Sequence, residues 1–243
     1  MARFFVSPDD IQNGEILLTG ENAQHGKVLR LQPGELIDVC DGMGYDYRCA
    51  VQEIDNKTIR VSILEKMESQ SEAAVRASVY ISFPKADKLE NIIQKATELG
   101  AYEIVAFPSA RCVSRPDEKS LNKKAERWQK IAHSAAEQSG RGRVPQILIL
   151  PSYAKALERA TKADKAILFY EAERSVTLKM ALENSTFSSI SLMTGPEGGL
   201  EAREVEQARE AGLEICTLGR RILRCETAPL CALSAVMFAS GEF

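Results

Sequence analysis

From residue 75 to the C-terminus the chain changes period again and again, and that rhythm limits what it can fold into. Short apolar runs, "VRASVYISFP", "YEIVAFP", "QILIL", "AILFYE", "SISLMTG" and "EICTLG", read as six strands. Between and after them lie six segments of helical period. "KLENIIQKATELG" sets Leu89, Ile92, Ile93, Ala96 and Leu99 on one stripe, with Gly100 placed to end the helix. A long helix is expected through "KSLNKKAERWQKIAHSAAEQS", shorter ones near 152–162, 174–183 and 201–211, and a closing one from about 227. Strands alternating with helices predict an α/β fold, with a mostly parallel sheet covered by helices on both faces. Ligands of such sheets sit beyond the carboxyl ends of the strands, so the loops after strands are where chemistry is sought.

Residues 1–70 read differently. "ELIDVCDG" and "YRCAVQEIDNKTIRVSIL" alternate at period two, with turn signals at Asp41-Gly42 and Asp55-Asn56. "ENAQHGKVLRL" is the one helical segment there. A small β-barrel over 1–70 is expected, then a polar linker at 65–74 ("EKMESQSEAA"), then a larger domain over 74–243.

Bulk composition narrows the function classes. The 243 residues are 44% hydrophobic and 27% charged, as in an ordinary folded protein. No apolar run reaches membrane-spanning length, and "MARFFVSPDD" lacks a secretory pattern, so a cytoplasmic protein with no membrane partner is expected. Six cysteines form no C-x-x-C pair, and the two histidines, His25 and His133, stand apart; no metal site is expected. The net charge of −3 hides an asymmetry. Residues 1–72 carry seven Lys/Arg against thirteen Asp/Glu, whereas 111–165 carry thirteen against six. A polyanionic partner is therefore permitted on one part of the surface.

Three loops after strands carry candidate chemistry. "GPEGGL", Gly195 to Leu200, lets backbone groups approach a ligand closely, yet matches neither a dinucleotide fingerprint nor a P-loop. "LGRRILRCETAPL" places Arg220, Arg221, Arg224 and Glu226 inside an apolar run, with Thr227 as N-cap and Pro229 in the first turn of the closing helix. The third loop begins at Glu171. Arg141 and Arg143 in "EQSGRGRVP", with Arg111 and Arg115 in "SARCVSR", are suited to phosphate. No Ser/His/Asp set can be assembled and no acidic metal cluster is visible. A reaction that needs positioning more than a nucleophile, such as methyl transfer, fits better than hydrolysis.

"TGPEGGL", "LGRRILRCETA", "KLENIIQKATELG" and "EQSGRGRVP", with "RFFV" and "HGKVLRL" near the start, resemble the ribosomal RNA small subunit methyltransferase E family of the SPOUT superfamily. The likeness runs through nearly the whole chain. It implies a C-terminal trefoil-knot methyltransferase domain, a rare exception to the rule against knots, and a PUA-like RNA-binding barrel before it. It further implies a homodimer that uses S-adenosylmethionine to methylate N3 of a uridine in 16S ribosomal RNA of the 30S subunit, near the decoding centre. Carried onto this chain, the cofactor residues would be Glu171, Thr194, Gly195, Glu197, Gly199, Leu218, Gly219, Ile222, Leu223, Arg224, Thr227 and Ala228. Arg224 would face the uridine with Glu226 anchoring it, and Glu197 is the candidate base. Arg3, Arg30, Arg111, Arg115, Arg141 and Arg143 would meet RNA. Two alternatives stay open: 2′-O-ribose methylation of transfer or ribosomal RNA on the same fold, and a ribosome-assembly factor without catalysis.

Overall fold

The computed structural model describes residues 2–113, 118–183 and 185–243. It divides into two compact units, Met1–Glu72 with Ala136–Val144, and Ala73–Ala135 with Pro145–Phe243.

The first unit is a curled six-stranded sheet. Its strands are β1 (Arg3–Phe5), β2 (Ile11–Gln12), β3 (Glu15–Thr19), β4 (Leu36–Cys40), β5 (Tyr45–Ile54) and β6 (Thr58–Glu68), in the order β1-β4-β5-β6-β3-β2. β1 and β4 run parallel and the remaining pairs antiparallel. Period-two alternation turns Ile16, Leu18, Ile37, Val39, Val51, Ile59 and Val61 inward around Phe4. Helix α1 (Gly20–Val28) closes on this core through Gly26, where any side chain would run into Ile59. The Asp41-Gly42 turn is held by the Asp41 carboxylate, which accepts from the amides of Met43 and Tyr45.

The expected linker at 65–74 begins too early. Residues 65–68 are the end of β6, where Tyr45 pairs with Glu68 and Tyr47 with Lys66. The segment looked structureless because this two-stranded extension has little apolar face to bury. Cross-strand contact holds it instead, the Lys66 ammonium lying 4.0 Å from the centre of the Tyr45 ring.

The second unit contains the alternation. Strands β7 (Arg76–Ser82), β8 (Glu103–Phe107), β9 (Gln146–Ile149), β10 (Lys165–Phe169), β11 (Ser189–Thr194) and β12 (Glu214–Cys216) form one sheet in the order β12-β10-β11-β7-β8-β9, every neighbouring pair parallel. β8 is buried along its whole length, as a strand covered on both faces must be. The helices are α2 (Lys88–Glu98), α3 (Glu118–Gln138), α4 (Tyr153–Ala160), α5 (Leu178–Leu182), α6 (Ala202–Ala211) and α7 (Ala228–Ala239).

Local chemistry sets most boundaries. Gly100 ends α2 in the left-handed region at φ +90°, and Ser152 caps α4 by accepting from the Lys155 amide. α5 is shorter than the expected 174–183. The Glu173 carboxylate draws the amides of Ser175 and Val176 into a turn, and Thr177 then caps the helix. Thr227 holds the N-cap position of α7 with Pro229 in the first turn, but its backbone is already helical and its side chain makes no capping bond. α7 leaves β12 at the edge of the sheet and packs against α2, β7 and β11 near its middle. The loop before α7 therefore crosses the carboxyl ends of the central strands.

Candidate functional site

Beyond the carboxyl ends of β10, β11 and β12, three loops enclose a cleft of about 460 Å³. Glu171 enters from the β10 loop. Thr194, Gly195, Glu197 and Gly199 enter from the β11 loop, and Leu218, Gly219, Ile222, Leu223, Arg224 and Ala228 from the loop between β12 and α7. Eleven of the twelve residues expected around a cofactor thus line one space, and Thr227 does not. Pro196, Gly198 and Arg221, from loops already singled out, also line it, and the sequence reading missed Phe169, Tyr170, Arg174, Thr217 and Cys225. All lie within three residues of an expected one, and loop adjacency was the signal available for them.

The glycines are there for backbone geometry. The Gly199 amide donates to the Pro196 carbonyl at 2.9 Å, closing a tight turn, and Gly199 sits at φ +67°. A Cβ on Gly199 would strike the Glu171 carboxylate, and one on Gly195 would meet Leu200 Cγ at 3.0 Å. Arg111 Nη1 braces the turn from outside, donating to the Gly198 carbonyl at 3.1 Å. Across the cleft Gly219 takes φ +108°, its amide donating to Thr217 Oγ1 at 3.2 Å. Among the described residues, the amides of Leu218, Ile222 and Leu223 meet no acceptor of the chain. Ile222, at the rim, is 77% exposed, unusual for so apolar a side chain.

Electrostatics differ from the sequence reading. Glu226 does not anchor Arg224. Its Oε2 lies 3.0 Å from Lys88 Nζ, whose ammonium also lies 3.1 Å from Glu197 Oε1. Lys88, the first residue of α2, opens the "KLENIIQKATELG" stretch but was given no role there, because both of its partners are distant in sequence. Glu197 also accepts from the Lys85 amide at 3.0 Å. The Lys88 hydrogen bond, with the Cys225 thiol, holds the Glu226 carboxyl down at about 2. Burial pushes Glu197 up, but the Lys85 amide and the Lys88 ammonium outweigh it and leave its carboxyl below the usual range. Burial, then the bond to Glu226, pushes the Cys225 thiol up to about 12. Among the described residues no carboxylate pairs with Arg220, Arg221 or Arg224.

The arginines expected on RNA divide. Arg141 is 3% exposed and grips the Glu72 carboxylate through Nε at 3.1 Å and Nη2 at 2.5 Å. Arg3 donates to the Arg141 carbonyl and pairs with Asp46. Both guanidiniums are engaged inside the first unit, so neither is turned outward to phosphate. The glycine-spaced sequence gave no hint of this, because Glu72 approaches from a distant segment. Arg30 and Arg111 are exposed and Arg143 half-buried. Arg115 lies outside the described residues. Among those described, no group of three or more His, Cys, Asp or Glu gathers to hold a metal ion, and no helix is long and apolar enough to cross a membrane.

Residues 71–237 match the family model of the RNA methyltransferase domain, and residues 18–64 that of the RNA methyltransferase PUA domain. The chain is 38% identical to the ribosomal RNA small subunit methyltransferase E of Bacillus subtilis, over 98% of this chain and 96% of that protein. The crystal structure of a ribosomal RNA small subunit methyltransferase E from Neisseria gonorrhoeae bound to S-adenosyl methionine superposes with a TM-score of 0.87 at 33% identity, covering 98% of this chain and 97% of that one. A Legionella pneumophila structure in complex with the bound cofactor SAM is similar at a TM-score of 0.87 and 27% identity, again covering 98% and 97%. A parallel α/β sheet, a glycine-built cleft at its carboxyl edge and likeness through nearly the whole chain agree, and the chain belongs to the ribosomal RNA small subunit methyltransferase E family of RNA methyltransferases, on a SPOUT fold with an N-terminal PUA-like unit.

Proposed function

We propose that the cleft binds S-adenosylmethionine and that the protein methylates N3 of one uridine in 16S ribosomal RNA of the 30S subunit, near the decoding centre. The observation that carries this reading is the cleft itself, built by the loop residues expected to hold that cofactor. Its chemistry fits the group. Unpaired amides at Leu218, Ile222 and Leu223 suit the acceptor atoms of an adenine, and exposed Ile222 would gain a flat apolar partner. Side-chain-free turns at Gly195 and Gly199 let backbone come close to the ligand. When bound, the sulfonium supplies the methyl group and a good leaving group.

The chain's own part is orientation and charge. Uridine N3–H is weakly acidic, and its anion spreads onto two carbonyl oxygens. In this reading Arg224, free of any carboxylate among the described residues, faces those oxygens and stabilises the anion as it forms. Glu197 and Glu226 are held ionised by Lys88, which makes them poor proton acceptors and assigns them to shaping the site. Arg30 and Arg143 of the first unit and, separately, Arg111, Arg220 and Arg221 of the second are the cations that would meet phosphate. Residues 1–70 serve as the RNA-binding unit and 74–243 as the methyltransferase domain, whose C-terminal segment threads a trefoil knot. The outer side of α7, where Phe238 is 72% exposed, joins Met180 of α5, 56% exposed, as the face covered by a second copy in a homodimer. The six thiols, all unpaired, suit a reducing cytoplasm.

The test is a strain lacking the gene. Mass spectrometry of its 16S RNA should show one N3-methyluridine missing, restored by the wild-type chain. An unchanged base pattern, or loss of a ribose methyl instead, refutes the assignment. For Arg224, Arg224→Ala should lower the methylation rate on purified 30S subunits by at least a hundredfold, the range for losing one oriented charge-stabilising group. A rate within a few-fold of wild type removes that role.

A further inference from the structure

Lys88 stands where its charge is out of place. It opens α2, and the first turn of a helix favours anions over cations. The residue two before it, Ala86, adopts φ +52°, a left-handed conformation that L side chains rarely take. On either side of this residue, the Lys85 amide and the Lys88 ammonium both reach Glu197. The amide donates to Glu197 at 3.0 Å, and the ammonium reaches Glu197 at 3.1 Å and Glu226 at 3.0 Å. Glu197 belongs to the glycine-rich turn after β11, and Glu226 to the loop between β12 and α7. These loops are the two facing walls of the cleft. Without the ammonium, two carboxylates would face each other across that seam and push the walls apart.

We propose that Lys88 is a positioning residue, an ionic clasp that ties the glycine-rich turn to the arginine loop and fixes the width of the cofactor cleft. The inference rests on the reading of the cleft as the S-adenosylmethionine site. Lys88 does not itself line the cleft, so it acts through its two carboxylates. Cys225 completes the cluster, its thiol 3.2 Å from Glu226 Oε2 and 3.6 Å from Lys88 Nζ. The clasp gives Glu197 and Glu226 a role in holding the two loops together.

The experiment compares wild type with Lys88→Met, Lys88→Arg and Glu226→Gln. Isothermal titration with S-adenosylmethionine is combined with initial rates on 30S subunits, and circular dichroism confirms the fold. Lys88→Met should raise the cofactor Kd and KM about tenfold, while kcat at saturating cofactor stays within a few-fold. Lys88→Arg should recover most of the affinity, because a guanidinium can span both carboxylates. Glu226→Gln should weaken binding less than Lys88→Met, since Glu197 keeps its partner. A wild-type Kd in folded Lys88→Met overturns the clasp. So does an impaired Lys88→Met that Lys88→Arg fails to rescue, because the charge then plays no part. If Lys88→Met does not fold, an unchanged Kd in Glu226→Gln overturns it. Absence of heat with wild type removes the cofactor reading itself, a result distinct from the others, and the clasp with it.

Discussion

Gly199→Ala separates the two things a glycine can do in this turn. At φ +67° an alanine is strained by about 1–2 kcal/mol relative to its preferred backbone. Its Cβ would also enter the space of the Glu171 carboxylate. That carboxylate ends a flexible side chain and can swing aside, so the lower end of the overpacking range applies, about 1 kcal/mol. Moving Glu171 changes the cleft wall to which it belongs. If the bound state bears about 2 kcal/mol of the total, affinity for S-adenosylmethionine falls on the order of 30-fold. Gly212→Ala is the control. Gly212 ends α6 at φ +100° with nothing within 4 Å of its would-be Cβ, and it does not line the cleft. It should lose about 1–2 kcal/mol of stability from backbone strain alone, with cofactor affinity unchanged. Denaturant unfolding and isothermal titration on both variants decide. Wild-type binding by Gly199→Ala, or equal losses of affinity in both, would refute the role given to this turn.

Other outcomes follow from single features. Arg141→Met should destabilise the protein by about 2–3 kcal/mol, because it strands Glu72 beside a buried position. The salt dependence of RNA binding should not change, and a reduced slope would return Arg141 to the RNA footprint. The double substitution Arg220→Ala/Arg221→Ala should reduce the log–log salt slope of 30S binding by roughly 1.5 if each arginine meets one phosphate; an unaltered slope removes both from the interface. Asp164 accepts from the Ser188 amide and hydroxyl and the Ser189 amide at the start of β11, bonds that hold its carboxyl down at about 2 against an ordinary 3.8. A depressed carboxyl stabilises the fold above its ordinary value and loses that contribution as pH falls toward 2. Stability of Asp164→Asn should therefore fall less steeply than wild type between about pH 4 and pH 2, and parallel acid titrations would show the bonds to be immaterial.

Much of the fold was legible because its signals are local. The change from period two to period 3.6, Gly100 after α2 and Pro229 opening α7 all follow from side-chain volume and backbone preference within a few residues. The cleft was legible for a related reason. Glycine and arginine stand out in apolar surroundings, and a parallel sheet delivers such loops to one edge. What escaped depended on partners far away in sequence. The end of β6 looked like a linker, since a ribbon held by pairing and a Lys66–Tyr45 contact needs no apolar stripe. Arg141 looked like a phosphate ligand until Glu72 closed on it. Glu226 seemed the natural partner of an arginine two residues away, but Lys88, 138 positions earlier in the chain, takes it. Charge pairing has no period, so a sequence read alone shows which charges are present without showing which of them meet.

A crystal structure of the protein grown with S-adenosylmethionine tests the central claim most directly. Density for the nucleoside should lie between the Gly195–Gly199 turn and the Leu218–Arg224 loop, with the adenine against Ile222 and the amides of the second loop as its donors. Clear density for the cofactor at another edge of the sheet, with this cleft holding only solvent, would contradict the account.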